Sequence, residues 1–418
     1  MSKFLWTQKQ DTGPRPRLAH GMAFDASHAQ VILFGGDASG GQLFDDTWEW
    51  DGKHWTQVSD IGPSSRSGHA MAYDSIRKRV VLFGGLAREG LRDTWEWNGE
   101  DWTEMANDGP AARFAHAMAF DSARNRVVLF GGEASGNKIL GDTWEWDGEV
   151  WTQVEDTGPG ARKSCAAAYD TTRNRFVLFG GDSGKDGLGD TWEWNGTLWT
   201  AVADFGPEPR TAAAMAFKGD RVALFGGVGS TQPAAQPQVF GDTWEWDGTH
   251  WTQRQDIGPD ARWGHAMAFD TIRDAVVIFG GAPVFPPGAP GTLFGDTWEH
   301  AEHAGGQPPP PPGGDLESFV IDPPSVVRGQ RATGTVTLSD VRPIPASVLL
   351  TPDPNAQLLF DPPVENRHPG FFLNIPPGTR SLQFRFRDQP GSPNPGNVPI
   401  PITAKFGNSR LTATITFT

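Results

Sequence analysis

The chain has 418 residues, which is too long for one ordinary hydrophobic core, so we expect it to divide into domains. Its formal net charge is −15, and nine basic against eight acidic side chains in residues 315–418 leave about −16 on residues 1–304. Such an acidic surface argues against binding to nucleic acid or to an anionic membrane, because contacts with phosphate require positive charge; membrane insertion is not predicted either, for lack of a long apolar run.

The first predicted strand is Phe4-Leu5-Trp6-Thr7-Gln8, and no basic-then-apolar signal segment precedes it. No apolar run approaches the length that spans a membrane. The types of module described below indicate an extracellular or surface-associated protein, whereas a chain complete as printed would be cytoplasmic.

One pattern then recurs as far as residue 304. The stretch Asp46-Thr47-Trp48-Glu49-Trp50-Asp51-Gly52 returns at intervals of roughly fifty residues, starting at Asp93, Asp142, Asp190 and Asp242. A sixth, altered copy ends at His300. Repetition at a fixed period indicates a repeat fold.

Each repeat is predicted to contain four strands. In the second copy, residues 70–74, 80–83, 94–97 and 101–104 are rich in Val, Phe and Trp, and Gly, Pro, Asn or Asp bound each run. Between the last two runs, Asn98-Gly99 predicts a hairpin with a type I′ turn, in which both central residues have positive φ. Six antiparallel four-stranded sheets around an axis form a β-propeller, so the fold class is all-β.

The repeat resembles the Kelch family, which is marked by a Gly-Gly doublet after the second strand and a Trp at a set distance beyond it. The doublets are Gly35-Gly36, Gly84-Gly85, Gly131-Gly132, Gly180-Gly181, Gly226-Gly227 and Gly280-Gly281, and the Trps are Trp55, Trp102, Trp151, Trp199 and Trp251. The resemblance covers residues 1–304 and implies a six-bladed propeller like the central domain of galactose oxidase. No Trp-Thr strand follows His300, so we expect the N-terminal strand to complete the last blade and remove open sheet edges.

A linker and a second domain follow the repeats. Residues 305–314 contain five successive prolines between glycines, which is typical of a semi-rigid spacer. Residues 315–418 read as about seven short strands, at 318–321, 332–338, 346–350, 371–375, 381–386, 398–404 and 411–416, which suggests a β-sandwich. The frame from Val326 to Val336 resembles bacterial immunoglobulin-like modules, which commonly act as spacers or adhesion units.

The most regular charged feature is an arginine in each repeat: Arg17, Arg66, Arg113, Arg162, Arg210 and Arg262. A ring of arginines near the channel mouth could grip a carboxylate or an acidic peptide with bidentate geometry. The favoured alternative is structural: the arginines would bond one blade to the next, with the repeated aspartates Asp46, Asp93, Asp142, Asp190, Asp242 and Asp296 as candidate partners, because a repeat must satisfy its own polar groups first.

The other recurring polar residues are predicted to be structural. The glutamates Glu49, Glu96, Glu145, Glu193, Glu245 and Glu299 lie on separate blades, so no two form the carboxylate pair of a glycosidase. His20, His69, His116 and His265 occur once per blade and show no metal-ligand spacing. Cys165 replaces histidine at this position and excludes an internal disulfide. We therefore predict neither a metal nor another cofactor.

No enzyme motif is recognised. The copper-radical chemistry of galactose oxidase needs tyrosines and a cysteine, whereas Tyr73 and Tyr169 occupy strand positions that hold Phe in other repeats. Sialidase-type Ser-x-Asp-x-Gly boxes, a Gly-x-Ser-x-Gly elbow and a phosphate-binding glycine loop are absent from the sequence. The prediction is a protein that is not an enzyme.

The repeats differ most in the loops between the second and third strands. Blades 1–4 have seven to nine residues there, whereas blades 5 and 6 have fourteen, including Phe240 and Phe285. The connections between blades reach the same face and carry unlike residues at one site: Leu18, Ser67, Phe114, Lys163, Thr211 and Trp263. Trp263 is therefore the leading contact candidate, and capping of its own blade is the alternative. The predicted binding residues are Trp263, Phe285, Phe240, Phe114, Arg262, Arg17, Arg66 and Arg113.

These features predict a scaffold that binds a protein partner through the face formed by the 2–3 loops and the 4–1 connections. A carbohydrate-binding propeller, with glycan pockets between blades, is the first alternative. A structural component of a bacterial surface or secreted assembly is the second. Analogy with Kelch propellers favours the protein partner, although fold alone does not prove function.

Overall fold

The computed structural model describes residues 3–10, 13–38, 41–155, 157–203, 205–229, 237–255, 258–284, 293–303, 316–322, 325–326, 332–338, 346–352, 358–361, 366–367, 370–375, 381–388, 399–406 and 409–417. The chain divides into two compact units, Ser2–Glu302 and His303–Thr418. The described residues form strands, turns and loops, with a single 3₁₀ turn at Ser135–Asn137. Within these ranges, no helix is long and apolar enough to cross a membrane.

The first unit is an all-β, six-bladed propeller. Its strands in chain order are β1 (Lys3–Gln10), β2 (Gly21–Asp25), β3 (Gln30–Phe34), β4 (Thr47–Trp50), β5 (Trp55–Ser59), β6 (Ala70–Asp74), β7 (Arg79–Leu86), β8 (Gly90–Trp97), β9 (Trp102–Ala106), β10 (Ala117–Asp121), β11 (Arg126–Ala134), β12 (Lys138–Trp146), β13 (Trp151–Glu155), β14 (Ala166–Asp170), β15 (Arg175–Asp182), β16 (Gly187–Trp194), β17 (Trp199–Ala203), β18 (Arg210–Thr211), β19 (Ala214–Lys218), β20 (Arg221–Phe225), β21 (Val228–Gly229), β22 (Thr243–Trp246), β23 (Trp251–Gln255), β24 (Ala266–Asp270), β25 (Ala275–Phe279) and β26 (Thr297–His303).

Each blade is one four-stranded sheet. Blades 1–4 contain β2–β5, β6–β9, β10–β13 and β14–β17, and blade 5 contains β19, β20, β22 and β23. Blade 6 contains β24, β25 and β26, and β1 lies beside β26 as its outer strand. A separate two-stranded ribbon, β18 with β21, joins the connection before blade 5 to the loop after β20.

Four consecutive residues of the second strand of each blade are apolar because the neighbouring blades bury both of its faces. In β7, residues 80–83 are fully buried, and alternate side chains enter different cores. Val80 and Leu82 pack with Ile32 of blade 1, whereas Val81 and Phe83 pack in the core shared with blade 3. The period of two along a strand therefore links each blade to both neighbours.

The predicted hairpin between the third and fourth strands is present, but the predicted type I′ turn is wrong. Trp50 pairs with Trp55, which leaves a four-residue loop, and within it Gly52 has positive φ whereas Asp51 does not. The Asp51 carboxylate accepts hydrogen bonds from the backbone N–H groups of Lys53 and His54, at 2.7 and 2.6 Å. The aspartate side chain therefore satisfies two backbone N–H groups of the loop, and this favours a four-residue loop over a two-residue type I′ turn.

The glycine doublets are required by close approach between blades. Gly84 has φ +62°, and a Cβ added there would lie 2.7 Å from the carbonyl oxygen of Arg113 in the next blade. The N–H of Gly85 donates to the same carbonyl at 2.9 Å. A side chain at Gly84 would separate the two blades, so the doublet is part of the junction.

The second unit contains the strands predicted for residues 315–418, in two sheets. Its strands are β27 (Leu316–Asp322), β28 (Ser325–Val326), β29 (Ala332–Leu338), β30 (Ala346–Pro352), β31 (Leu358–Asp361), β32 (Asn366–Arg367), β33 (Gly370–Ile375), β34 (Ser381–Asp388), β35 (Pro399–Phe406) and β36 (Ser409–Phe417). The sheet orders are β27-β29-β34-β31 and β28-β36-β35-β30-β33-β32. The short strands β28, β31 and β32 were not predicted, because runs of two to four residues carry little periodic signal.

Candidate functional site

The repeated arginines are buried and paired with the repeated aspartates, which confirms the predicted partners, but each pair lies within one blade, so the predicted bonding between blades by these side chains is wrong. In blade 2, Arg66 is bidentate to Asp93, with Nη1 and Nη2 each 2.7 Å from a carboxylate oxygen. Arg66 also donates to the carbonyl oxygens of Gly84 and Ser64, at 3.0 and 2.9 Å. The same pairing joins Arg17 to Asp46, Arg113 to Asp142, Arg162 to Asp190, Arg210 to Asp242 and Arg262 to Asp296.

In each pair, the charges of the arginine and the aspartate compensate each other. Burial raises the pKa of the Asp93 carboxyl, but the hydrogen bonds and charge of Arg66 outweigh it and hold that pKa below its usual value. In blades 1, 5 and 6, a phenylalanine covers the guanidinium at 3.9–4.1 Å: Phe44 over Arg17, Phe240 over Arg210 and Phe294 over Arg262. Each guanidinium is therefore engaged by its own blade.

Tryptophans of the fourth strands tie each blade to the one before it. The Trp102 Nε1–H donates to Thr47 Oγ1 at 2.9 Å, and the equivalent bonds join Trp151 to Thr94, Trp199 to Thr143, Trp251 to Thr191 and Trp55 to Thr297. In β1, Trp6 makes the sixth bond of this kind, to Thr243 Oγ1 at 2.9 Å. The indoles are thus used as packing and hydrogen-bonding groups between blades.

A closed circle of backbone hydrogen bonds joins all six blades beside the axis. One residue per blade takes part, and each N–H donates to a carbonyl of the neighbouring blade at 2.7–2.9 Å: Ala19 to Gly264, Gly264 to Ala212, Ala212 to Ser164, Ser164 to Ala115, Ala115 to Gly68 and Gly68 to Ala19. All six have φ between +51° and +65°. The sequence signal for this ring is that each of its six residues is small and directly precedes the position held by His20, His69, His116, Cys165, Ala213 and His265.

The histidines predicted to be structural are buried beside this ring. Each packs edge-on against a phenylalanine of the preceding blade, with ring centroids 5.5–5.6 Å apart: His20 on Phe279, His69 on Phe34, His116 on Phe83 and His265 on Phe225. Burial and the nearby Arg262 lower the pKa of His265 to about 3, against a smaller effect of Asp296. Among the described residues, no group of three His, Cys, Asp or Glu side chains is placed to hold a metal ion.

The buried histidines predict a loss of stability on mild acidification. Their folded pKa values are lowered, so the unfolded chain binds more protons, and stability falls as the pH drops below about 6.5, the usual histidine value. Each histidine should contribute about 1.4 kcal/mol per pH unit in the lower part of this window. His265→Ala should reduce that slope by one proton, because Ala213 already occupies this position in blade 5. Urea unfolding at several pH values measures the slope, and an unchanged slope in the variant would contradict the assignment.

The loops predicted to form one face are paired with each other. The residue before each ring member bridges to the residue after the glycine doublet of the same blade, as in Leu18 with Asp37, Phe114 with Glu133 and Trp263 with Ala282. In blade 5, Thr211 pairs with Val228. The 4–1 connections and the starts of the 2–3 loops therefore lie on the same side of the propeller.

The predicted contact residues differ in their exposure on this face. Trp263 is 9% exposed and donates from Nε1 to the carbonyl oxygen of Val284 at 2.8 Å, which is the capping arrangement that the sequence left as an alternative. Phe240 is 7% exposed against Arg210, and Phe114 is partly exposed. Phe285 lies outside the described residues.

One side of the face is apolar and the other is charged. We call Leu18, Val228, Trp263, Ala282 and Leu293 the mouth cluster; these residues come from blades 1, 5 and 6 and pack together next to the backbone ring. On the other side, between blades 3 and 4, Lys163 lies 2.5 Å from Glu133 and 4.0 Å from Asp182. The polarity of this face therefore differs from blade to blade, unlike that of the residues that recur in each repeat.

The comparisons with known proteins agree with this fold. Residues 91–281 match the family model of the KLHDC2/KLHL20/DRC7 Kelch-repeats domain. A solved structure described as "Structure of YjhT" is similar, with a TM-score of 0.56 and 13% identity, and the match covers 68% of this chain and 95% of that one. At this identity the likeness concerns the fold alone. No curated protein matches the chain.

Proposed function

We propose that the propeller is a non-enzymatic binding module that recognises a protein partner through the face carrying the mouth cluster. The observation that supports this is that the recurring residues have structural partners, whereas the residues at the channel mouth vary. The arginines and aspartates that recur in each repeat pair within their own blade, and the recurring tryptophans join neighbouring blades, whereas the residues around the channel mouth differ from blade to blade. Kelch-repeat propellers generally mediate protein–protein interactions.

A protein interface needs an apolar centre and a polar rim; the apolar surface beside the buried mouth cluster supports the first, and the salt-bridged side supports the second. Val284 is 48% exposed next to the buried Trp263, so the cluster continues to the surface. Glycan binding by stacked tryptophans has less support, because Trp50, Trp97, Trp146, Trp194 and Trp246 are at most 1% exposed.

We also propose that β1 closes the propeller, and that the second unit is an immunoglobulin-like sandwich serving as a spacer or a second contact. The first proposal is supported by Trp6, which repeats the indole–threonine bond found at the other junctions. The second is supported by the two sheets of mostly antiparallel strands in that unit.

Negative charge introduced on the proposed face tests the binding function. Phe114→Glu with Val284→Glu should reduce capture of a protein partner by the full chain at least about tenfold, because carboxylates would enter an apolar contact. Ile76→Glu with Val150→Glu is the matched control, since these side chains are 60% and 56% exposed on turns at the opposite face. Quantitative mass spectrometry of captured proteins, followed by titration of the purified partner, gives the measurement.

Equal binding by both double variants would show that the face is wrong. Trp263→Ala with a shortened 284–290 loop is a further variant expected to abolish binding, although loss of a buried indole also lowers stability. Saturable hits on a glycan array by the propeller would favour the carbohydrate alternative instead.

A further inference from the structure

In five blades the third-strand glutamate is paired with a cation of the chain itself. The closest pairs are Arg77 with Glu96, Arg124 with Glu145 at 2.6 Å, Arg173 with Glu193 at 2.5 Å, Arg254 with Glu245 at 2.7 Å and Lys9 with Glu299 at 2.9 Å. All five glutamates are buried. A buried carboxylate needs such a partner, so pairing is the rule of the repeat.

Blade 1 departs from this rule. Within the described part of the chain, the Glu49 carboxylate has no hydrogen-bond or ion-pair partner. His28 and Gln30 stand where blades 2–4 have two arginines, such as Arg173 and Arg175 in blade 4. His28 Nδ1 is 2.8 Å from Asp25 Oδ2, so this ring is engaged by the first strand. Burial raises the pKa of the Glu49 carboxyl, Asp25 raises it further, and the nearby His28 only partly offsets this.

A buried hydrogen-bond donor at the same junction is also without a partner. The Trp97 side chain is fully buried, and its Nε1–H makes no hydrogen bond. At four other junctions the equivalent indole donates to the glutamate of the preceding blade: Trp146 to Glu96, Trp194 to Glu145, Trp246 to Glu193 and Trp50 to Glu299, at 3.0–3.4 Å. By this equivalence, Trp97 Nε1 points towards the position that the Glu49 carboxylate takes when a cation holds it.

An unpaired acceptor lies beside Glu49. Gln30 Oε1 is buried without a partner, and Gln30 occupies the repeat position from which Arg175 approaches Glu193 to 3.9 Å. The surroundings of Glu49 therefore combine an unpaired carboxylate, an unpaired amide oxygen and an unpaired indole N–H. A cation with several N–H donors would satisfy the two acceptors, and the carboxylate that it holds would accept the indole N–H, as the equivalent glutamates do at four other junctions.

The position is open to solvent. In blade 2 the equivalent surface cavity has a volume of about 350 Å³ and is lined by Arg77, Arg79, Glu96, Asn98, Thr103 and Met105. The blade 1 counterparts are His28, Gln30, Glu49, Asp51, Thr56 and Val58. The His28 side chain is 46% exposed, and Glu49 is partly exposed. A side chain from another molecule can therefore reach the carboxylate.

We propose that the junction of blades 1 and 2 binds a guanidinium group, supplied by an arginine side chain of a protein partner. Guanidinium fits better than ammonium because its planar fork pairs with a carboxylate through two parallel N–H donors and leaves others for Gln30 Oε1. The acidic propeller attracts a cationic segment towards the site. The site lies on the face of the 1–2 and 3–4 turns, so it is separate from the mouth cluster.

The experiment titrates the full chain with acetyl-Gly-Arg-Gly-amide and follows the indole N–H resonance of Trp97 by NMR, assigned with Trp97→Phe. The peptide should bind saturably and shift this resonance, whereas the citrulline version, which is uncharged, should not. The lysine version should bind more weakly. Free L-arginine is run in parallel, and binding of free arginine without binding of the blocked peptide would overturn the assignment to a protein side chain.

Matched variants keep the test decisive. Glu49→Gln should weaken binding at least about tenfold, and His28→Arg should abolish it, because the chain's own arginine then fills the position as in blades 2–4. His28→Arg should also raise the melting temperature by supplying the missing partner. Glu96→Gln, at the equivalent place in blade 2, should leave peptide binding unchanged. Absence of peptide binding to the wild-type chain, or equal binding by Glu49→Gln, would overturn the proposal.

Discussion

Arg113→Met is expected to lower the free energy of unfolding by about 3–5 kcal/mol, the cost of removing one partner from a buried ion pair. Arg113 is fully buried, and Nη1 and Nη2 lie 2.7 and 2.8 Å from the two oxygens of Asp142. The substitution also removes the N–H donors to two carbonyl oxygens, that of Ala111 in the connection before β10 and that of Gly131 in the glycine doublet of β11. Chemical denaturation at neutral pH measures the change.

Arg126→Ala is the matched control, because its Nη1 makes a 2.8 Å bond only to the exposed carbonyl oxygen of Asn125 and a 3.5 Å contact with that of Arg124. We expect a change within about 0.5 kcal/mol there. The acid limb gives a second readout. The pKa of Asp142 is raised by burial and lowered more strongly by Arg113, so the pair stabilises the fold above the unfolded aspartate pKa and is lost as the pH falls through the folded value. Equal stability of the two variants would refute the role of the pair.

Removal of residues 1–10 is expected to destabilise the propeller by at least about 3–5 kcal/mol, the usual cost of losing a large buried aromatic side chain. Trp6 bonds to Thr243 and packs at ring-centroid distances of 5.2 Å from Phe225 and 4.8 Å from His300. Lys9 pairs with Glu299 at 2.9 Å. Without β1, the edge of β26 is open, so the shortened chain should also aggregate.

Thermal melting and size-exclusion chromatography measure both effects. Trp6→Ala separates packing from strand loss and keeps the test usable if the shortened chain fails to fold. Thr243→Val should cost only about 1 kcal/mol, since it removes one hydrogen bond. A shortened chain that melts with the full chain would show that the propeller does not depend on β1 for closure.

The strands and the pairing of Arg with Asp could be predicted because they follow from rules local to one repeat. Alternating apolar residues bounded by turn residues indicate strands, and a recurring charged residue needs a recurring partner. The turn at Asp51-Gly52 was predicted wrongly, because the dipeptide does not reveal that the aspartate side chain would accept the backbone N–H groups of Lys53 and His54.

The candidate sites were less predictable. Trp263 stands out in the sequence, yet its burial depends on contacts with Val284 and the mouth cluster. Glu49 looks like the other glutamates in the sequence. Its difference is visible only when His28, Gln30 and Trp97 are placed around it.

The sequence by itself determined the number of repeats, the strands of each blade and the residues that every blade needs, because periodicity and local polar satisfaction act within about fifty residues. Only the tertiary structure decided which departures from the repeat come together. Trp6 meets Thr243 across 237 residues of chain, and Trp97 meets blade 1 across a blade junction. Such contacts depend on how the blades pack. Because each copy of the repeat carries the same packing residues wherever it lies in the ring, these residues do not reveal which copies are neighbours.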